Sequence, residues 1–135
     1  MAVVRMRRGD RGAAAVEFAL VLPVLLLIIF GIVDFGRMLA AKITLTEAAR
    51  EGARAAALVS QEEGEATVFE AVADLDDPIE TPVVVGCPDA PAPGDDATAT
   101  VTYRFTFITP VSILFGSSGD GHVDLVASGL MPCMG

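Results

Sequence analysis

The chain has 135 residues, 53% of them hydrophobic, and a formal net charge of −9. That charge is divided: residues 1–54 hold eight Arg or Lys against five Asp or Glu, while residues 55–135 hold one, Arg104, against thirteen. The length builds one small unit, and the acidic half repels phosphate, which excludes nucleic acid as a partner.

Residues 1–12 read as a basic leader, too short and polar to fold, in which Arg5, Arg7, Arg8 and Arg11 are opposed by Asp10 alone. The positive-inside rule keeps this end in the cytoplasm and sends the acidic part across the membrane. Arg37, Lys42, Arg50 and Arg54 on the far side weaken that bias. The apolar run follows: twenty-one residues from Ala13 to Val33 contain one charge, Glu17. About twenty helical residues span a hydrocarbon core of roughly 30 Å, so a transmembrane segment is expected over about 13–35.

Helical periodicity continues to residue 60, which gives a helix over 13–60 about 72 Å long, half in lipid and half in water. Pro23 removes a hydrogen bond within the span and predicts a kink or loosening; Gly31 and Gly36 are further soft points near the exit. Beyond the span, Ala41, Leu45, Ala48, Gly52, Ala55 and Val59 share one narrow face. The spacing Ala48-x-x-x-Gly52-x-x-x-Ala56 permits close helix packing. It serves either a bundle of neighbouring subunits or an Ala-rich helix covering its own sheet.

Residues 61–135 form a small acidic extracytoplasmic unit. Ser60-Gln61-Glu62-Glu63 is a capping box that opens a second short helix, with Val68, Phe69, Val72 and Leu75 as its apolar face and Asp77-Pro78 as its stop. Strand-like runs follow at Pro82–Val85, Thr98–Ile108 and His122–Ala127, separated by the loop Cys87–Asp96 and the turn Gly116–Gly121. The fold class is therefore α+β: a long N-terminal helix, a short helix and a small antiparallel sheet of about three strands, which needs a helix or a neighbour over its apolar face. Cys87 and Cys133 both lie in the part placed outside. Either they pair, closing a loop that the chain-entropy model values at about 4 kcal/mol, or they are two small unpaired hydrophobes.

No catalytic constellation is legible, and no cofactor or metal is called for. His122 stands beside a glycine turn without a second base or ligand. Asp74, Asp76 and Asp77 lack the glycine and terminal glutamate of a calcium loop and read as a charged helix end. There is no phosphate loop and no nucleophile motif, so an enzyme is not expected.

The constellation that carries information is Gly12, then Ala13-Ala14-Ala15-Val16, then Glu17-Phe18. It resembles the prepilin-peptidase site of type IV pilins, and more closely the Flp-type version. Val16-Glu17-Phe18-Ala19, Leu22-Pro23, Gly31-Ile32, Phe35-Gly36-Arg37 and Ala48-Ala49-Arg50-Glu51-Gly52-Ala53-Arg54 together resemble the TadE-like family over roughly residues 11–57. The resemblance implies a pilin-like pseudopilin or minor pilin of the tight-adherence (Tad) system, cut between Gly12 and Ala13 by a prepilin peptidase. It implies residence in the bacterial cytoplasmic membrane as a single-pass protein. The implied partners are the Flp-type major pilin, a sister pseudopilin, the platform proteins and the assembly ATPase, with membrane lipid around the helix. The acidic tail with its two cysteines is not explained by the resemblance.

An ionised side chain in a membrane helix costs a few kcal/mol without a partner. Cleavage after Gly12 would create an α-amine about 6 Å from Glu17 along the helix, and a staggered neighbour could bring its own amine to Glu17. Otherwise Glu17 snorkels at the interface of an ordinary anchor. The rival class is a secreted or membrane-anchored binding or adhesion module with an ordinary signal or anchor segment. Leu39-Ala40-Ala41 offers it a weak cleavage site, although Glu17, Asp34 and Arg37 fit that segment poorly. The mature N-terminus separates the readings: Ala13, a residue near 40, or Met1.

Overall fold

A computed structural model describes residues 8–109 and 121–134. Helix α1 runs from Arg8 to Leu58 and helix α2 from Gln61 to Ala71; strands β1 (Val83–Val85), β2 (Asp96–Thr106) and β3 (His122–Pro132) follow. The class is α+β, with a three-stranded antiparallel sheet in the order β1-β2-β3.

The expected boundary at Gly12 is not a structural one, because α1 begins at Arg8. Arg8-Gly9-Asp10-Arg11-Gly12 extend it despite two glycines because a long helix already exists to add to, nucleation being the expensive step. The helix is also unbroken at Pro23. It stops at Leu58, two residues short of the expected end, because Ser60 is taken by the next element. Its backbone is extended (φ −164°, ψ 163°) and its hydroxyl accepts the Glu63 N–H at 3.2 Å. Glu62 and Glu63 stand in the first turn of α2, where the helix dipole favours carboxylates.

Strand β2 is central. Its alternation puts Ala97, Ala99, Val101, Tyr103 and Phe105 on one buried face and Thr98, Thr100, Thr102, Arg104 and Thr106 on the other. The register pairs Val101 with Ala127, Ala99 with Gly129 and Val84 with Ala99, so the three strands present one continuous inner face. The second half of α1 lies on that face, with α2 beside it, and the core forms between them. Side-chain size is graded along the layer. Ala53, Ala56, Val84, Ala97 and Ala99 pack at one end, and Leu45, Val101, Tyr103 and Phe105 at the other with Ala49, and α1 approaches the sheet closely where Ala49 meets Gly129. Burial pushes the Tyr103 hydroxyl above its ordinary value.

The buried face of α1 is wider than the expected stripe. Ala49, Ala53 and Ala56 are buried alongside Ala41, Leu45, Ala48 and Gly52, whereas Ala55 is half-buried and Val59 is exposed. Two partners cause this, since α2 and the sheet cover adjacent faces of one helix. In α2, Gly64 and Val68 point inward at i,i+4 spacing and Val72 closes the helix, leaving Phe69 about half exposed. The helix ends at Ala71, well before Asp77-Pro78. Strand β3 extends five residues beyond the expected Ala127. The expected turn at Gly116–Gly121 lies outside the described residues except for Gly121. A disulfide joins Cys87 to Cys133, with the Cα atoms 5.8 Å apart, and ties the loop after β1 to the end of β3.

Candidate functional site

Two regions of α1 concentrate features that a small core does not require. The first is the span itself. Every side chain from Gly12 to Val33 is exposed except the half-buried Leu22 and Gly31. Among the described residues α1 is the one helix long and apolar enough to cross a membrane, and none of its most apolar window is buried. That exposure separates it from the core helix of a soluble domain, which would hide such a face. Glu17 and Phe18 both sit on this exposed surface. Among the described residues Glu17 has no hydrogen-bond or ion-pair partner. A Cβ at Gly12 would meet nothing within 4 Å, so the chain's own packing does not demand glycine there, and Ala13 is equally exposed.

The second region is the junction where the span ends. Asp34 follows directly after the apolar run and is fully buried. Its carboxylate accepts the backbone N–H of Ile108 (3.3 Å) and of Thr109 (3.2 Å), and also the Thr109 hydroxyl. Arg37, one turn further on, lies 3.7 Å from Asp34 and donates to Asp76 at 2.8 Å. Its guanidinium stands 5.3 Å from the centroid of Phe105, which meets Phe107 edge-on at 5.3 Å. A buried carboxylate is stable only when its lone pairs are used, and three donors plus a cation achieve that here. The junction thus ties α1 to the end of β2 and to the segment after α2. In the sequence Asp34 stands out as a charge that fits a signal segment poorly, and Arg37 as another that also weakens the positive-inside bias and belongs to the TadE-like run. Their i,i+3 spacing at the edge of an apolar run was the available signal, but the Ile108, Thr109 and Asp76 ends of the network are 39 to 75 residues away.

Ala48, Gly52 and Ala56 are brought together inside the chain's own fold. A Cβ on Gly52 would lie 2.4 Å from Val68 Cγ2 and 3.2 Å from the Gly64 carbonyl oxygen, and one on Gly64 would lie 2.8 Å from both Ala56 Cβ and the Gly52 carbonyl oxygen. The α1–α2 crossing is a glycine-on-glycine contact. Lys42 Nζ donates to the Val126 carbonyl, which occupies part of the open edge of β3 and blunts it against further pairing. On the outer sheet face Arg104 bridges Glu80 (3.9 Å) and Asp124 (3.3 Å).

His122 pairs across from Thr106 at the start of β3. Asp76 serves Arg37 as described, and Asp74 and Asp77 are exposed. Among the described residues no group of three or more His, Cys, Asp or Glu side chains is arranged to hold a metal ion.

Neither the curated proteins nor the solved structures contain a match to this chain. Residues 12–54, from the glycine ahead of the span to the arginine that closes the Ala48–Arg54 run, match the TadE-like protein family.

Proposed function

We propose that this chain is a TadE-like pseudopilin or minor pilin that assembles through its membrane helix in a Tad/Flp pilus or secretion apparatus. A prepilin peptidase would release Ala13 as the mature N-terminus. The protein would remain in the cytoplasmic membrane as a single-pass subunit with its domain outside. The Flp-type major pilin, a sister pseudopilin, the platform proteins and the assembly ATPase would be its partners. Its role is structural, not catalytic.

The observation that carries this reading is Glu17, whose side chain is exposed on an apolar helix with no partner among the described residues. Ionisable groups in such surroundings are costly and are retained for a function. A neighbouring subunit's new α-amine is a partner of the right charge. The TadE-like match over the same helix and the open space at Gly12 support the reading. The helical continuity of Leu39-Ala40-Ala41 also supports it, because a signal-type cleavage there would cut the helix just where Ala41 enters the core.

The test compares Glu17→Gln, Glu17→Ala and Glu17→Asp at matched membrane abundance. All three should insert and should begin at Ala13 by N-terminal mapping, since the residue lies downstream of the scissile bond. Recovery of the Flp pilin or sister pseudopilin, and surface piliation, should be lost for Ala and Gln and intermediate for Asp. Normal pili and normal partner recovery with Glu17→Ala would remove the assembly role. A mature chain beginning at Met1 or near residue 40 would remove the processing step.

A further inference from the structure

We infer that the segment just after β2, with Ile108 foremost, is a bilayer-contact surface that seats the folded domain directly on the lipid headgroup layer. This rests on the reading of residues 13–33 as a membrane span.

The argument is one of depth. Twenty-one residues from Ala13 to Val33 rise about 31 Å, which uses the whole hydrocarbon thickness. Asp34 therefore stands at the hydrocarbon boundary. Helical Cα–Cβ bonds tilt toward the N-terminus, and in this chain the N-terminal direction along α1 leads into the span. The Asp34 carboxylate is accordingly level with its own Cα or deeper. It is bonded to the backbone N–H groups of Ile108 and Thr109, so these two residues are held at the same depth. No stalk separates span from domain, because the first residue past the apolar run is already inside the fold.

The chemistry at that depth suits the boundary. Ile108 is 73% exposed and has hydrocarbon beside it. The Arg37 Cα lies about one turn higher, and its guanidinium reaches back to 3.7 Å from Asp34 and 2.8 Å from Asp76, a partly exposed ion pair on the headgroup side of the boundary. Ile108 thus adds exposed apolar surface at the level where the apolar run ends. The occupant is the lipid interface itself: acyl chains at their glycerol end against Ile108, headgroups against Arg37 and Asp76.

The experiment uses the full chain in vesicles of phosphatidylcholine and phosphatidylglycerol carrying nitroxide lipids, with the label either near the headgroup or deep in the acyl chain. A thiol-reactive fluorophore is placed on Ile108→Cys, on Ile28→Cys in the span, or on Ala92→Cys in the exposed loop before β2. Cys87 and Cys133 are bonded to each other and do not react. Interfacial groups bury about 5–10 Å, so quenching of Ile108→Cys by the shallow nitroxide should exceed that of Ala92→Cys by on the order of threefold. Ile28→Cys should respond to the deep nitroxide. Adding Asp34→Ala should bring the Ile108→Cys signal down toward the Ala92→Cys level, because the clamp that sets its depth is gone. If Ile28→Cys is quenched and Ile108→Cys behaves like Ala92→Cys, the seat is overturned and the span stands. If Ile28→Cys is not quenched, the span falls and the seat falls with it. Quenching of Ile108→Cys that survives Asp34→Ala overturns the clamp as its cause.

Discussion

The two halves of α1 are one continuous helix in two environments. From Gly12 to Val33 its side chains are exposed apart from the half-buried Leu22 and Gly31, while between Asp34 and Leu58 it forms the wall of the core. The glycines show the contrast. A Cβ added at Gly12 or Gly31 meets no atom within 4 Å, yet one at Gly52 strikes Val68, and one at Gly129 on the facing strand strikes the Ala49 backbone. Glycine in a helix costs roughly 1 kcal/mol relative to alanine. In the packed half that cost is offset by close approach of backbones. In the exposed half no contact among the described residues offsets it at Gly12 or Gly31.

The strongest way to break this comparison is Gly129→Ala. Its Cβ would stand 2.2 Å from the Ala49 carbonyl oxygen, and backbone on both sides has no rotamer with which to yield. A loss of about 3 kcal/mol is expected, read as a drop in the unfolding midpoint of the domain by near-ultraviolet circular dichroism. A loss well under half of that would mean that α1 is not seated as closely as Ala49 and Gly129 require.

Gly52→Ala sharpens the same point at smaller amplitude. Its first obstacle is the Val68 side chain at 2.4 Å, with the Gly64 carbonyl oxygen next at 3.2 Å. Part of the overlap can relax, so about 1–2 kcal/mol is expected. Adding Val68→Ala should cost less in the Gly52→Ala background than in the parent chain. Strictly additive losses would place the strain elsewhere.

The smallest effect belongs to the exposed half. Gly31→Ala adds a methyl group to open space, so the unfolding midpoint of the domain should hold. The helix itself should gain up to about 1 kcal/mol of propensity. A fall in domain stability would show that the span is coupled to the core by contacts absent from the isolated chain.

Much of this organisation was legible locally. The apolar run, the capping serine at residue 60, the alternation of β2 and the short β1 are periodic or punctuated signals, and each appears where its residues put it. β3 runs past its expected end at Ala127 through Ser128-Gly129 to Pro132, residue types usual in turns. Gly129 is there for the approach of Ala49, not for a turn. Phe69 was assigned inward because it is large and apolar, but the short α2 meets α1 through Gly64 and Val68, and Phe69 lies off that line.

The sequence by itself determined which segments are helix or strand, where the membrane-compatible stretch lies, and which residues carry the TadE-like likeness, because periodicity, capping and composition act between residues a few positions apart. Only the tertiary structure decided what each face meets: that Gly52 packs on Gly64 of its own chain, that two partners widen the buried face of α1, and that Asp34 is satisfied by Ile108 and Thr109. A buried carboxylate selects donors by their direction and depth in three dimensions, and residues seventy-four positions apart in the chain share no local pattern from which that meeting follows.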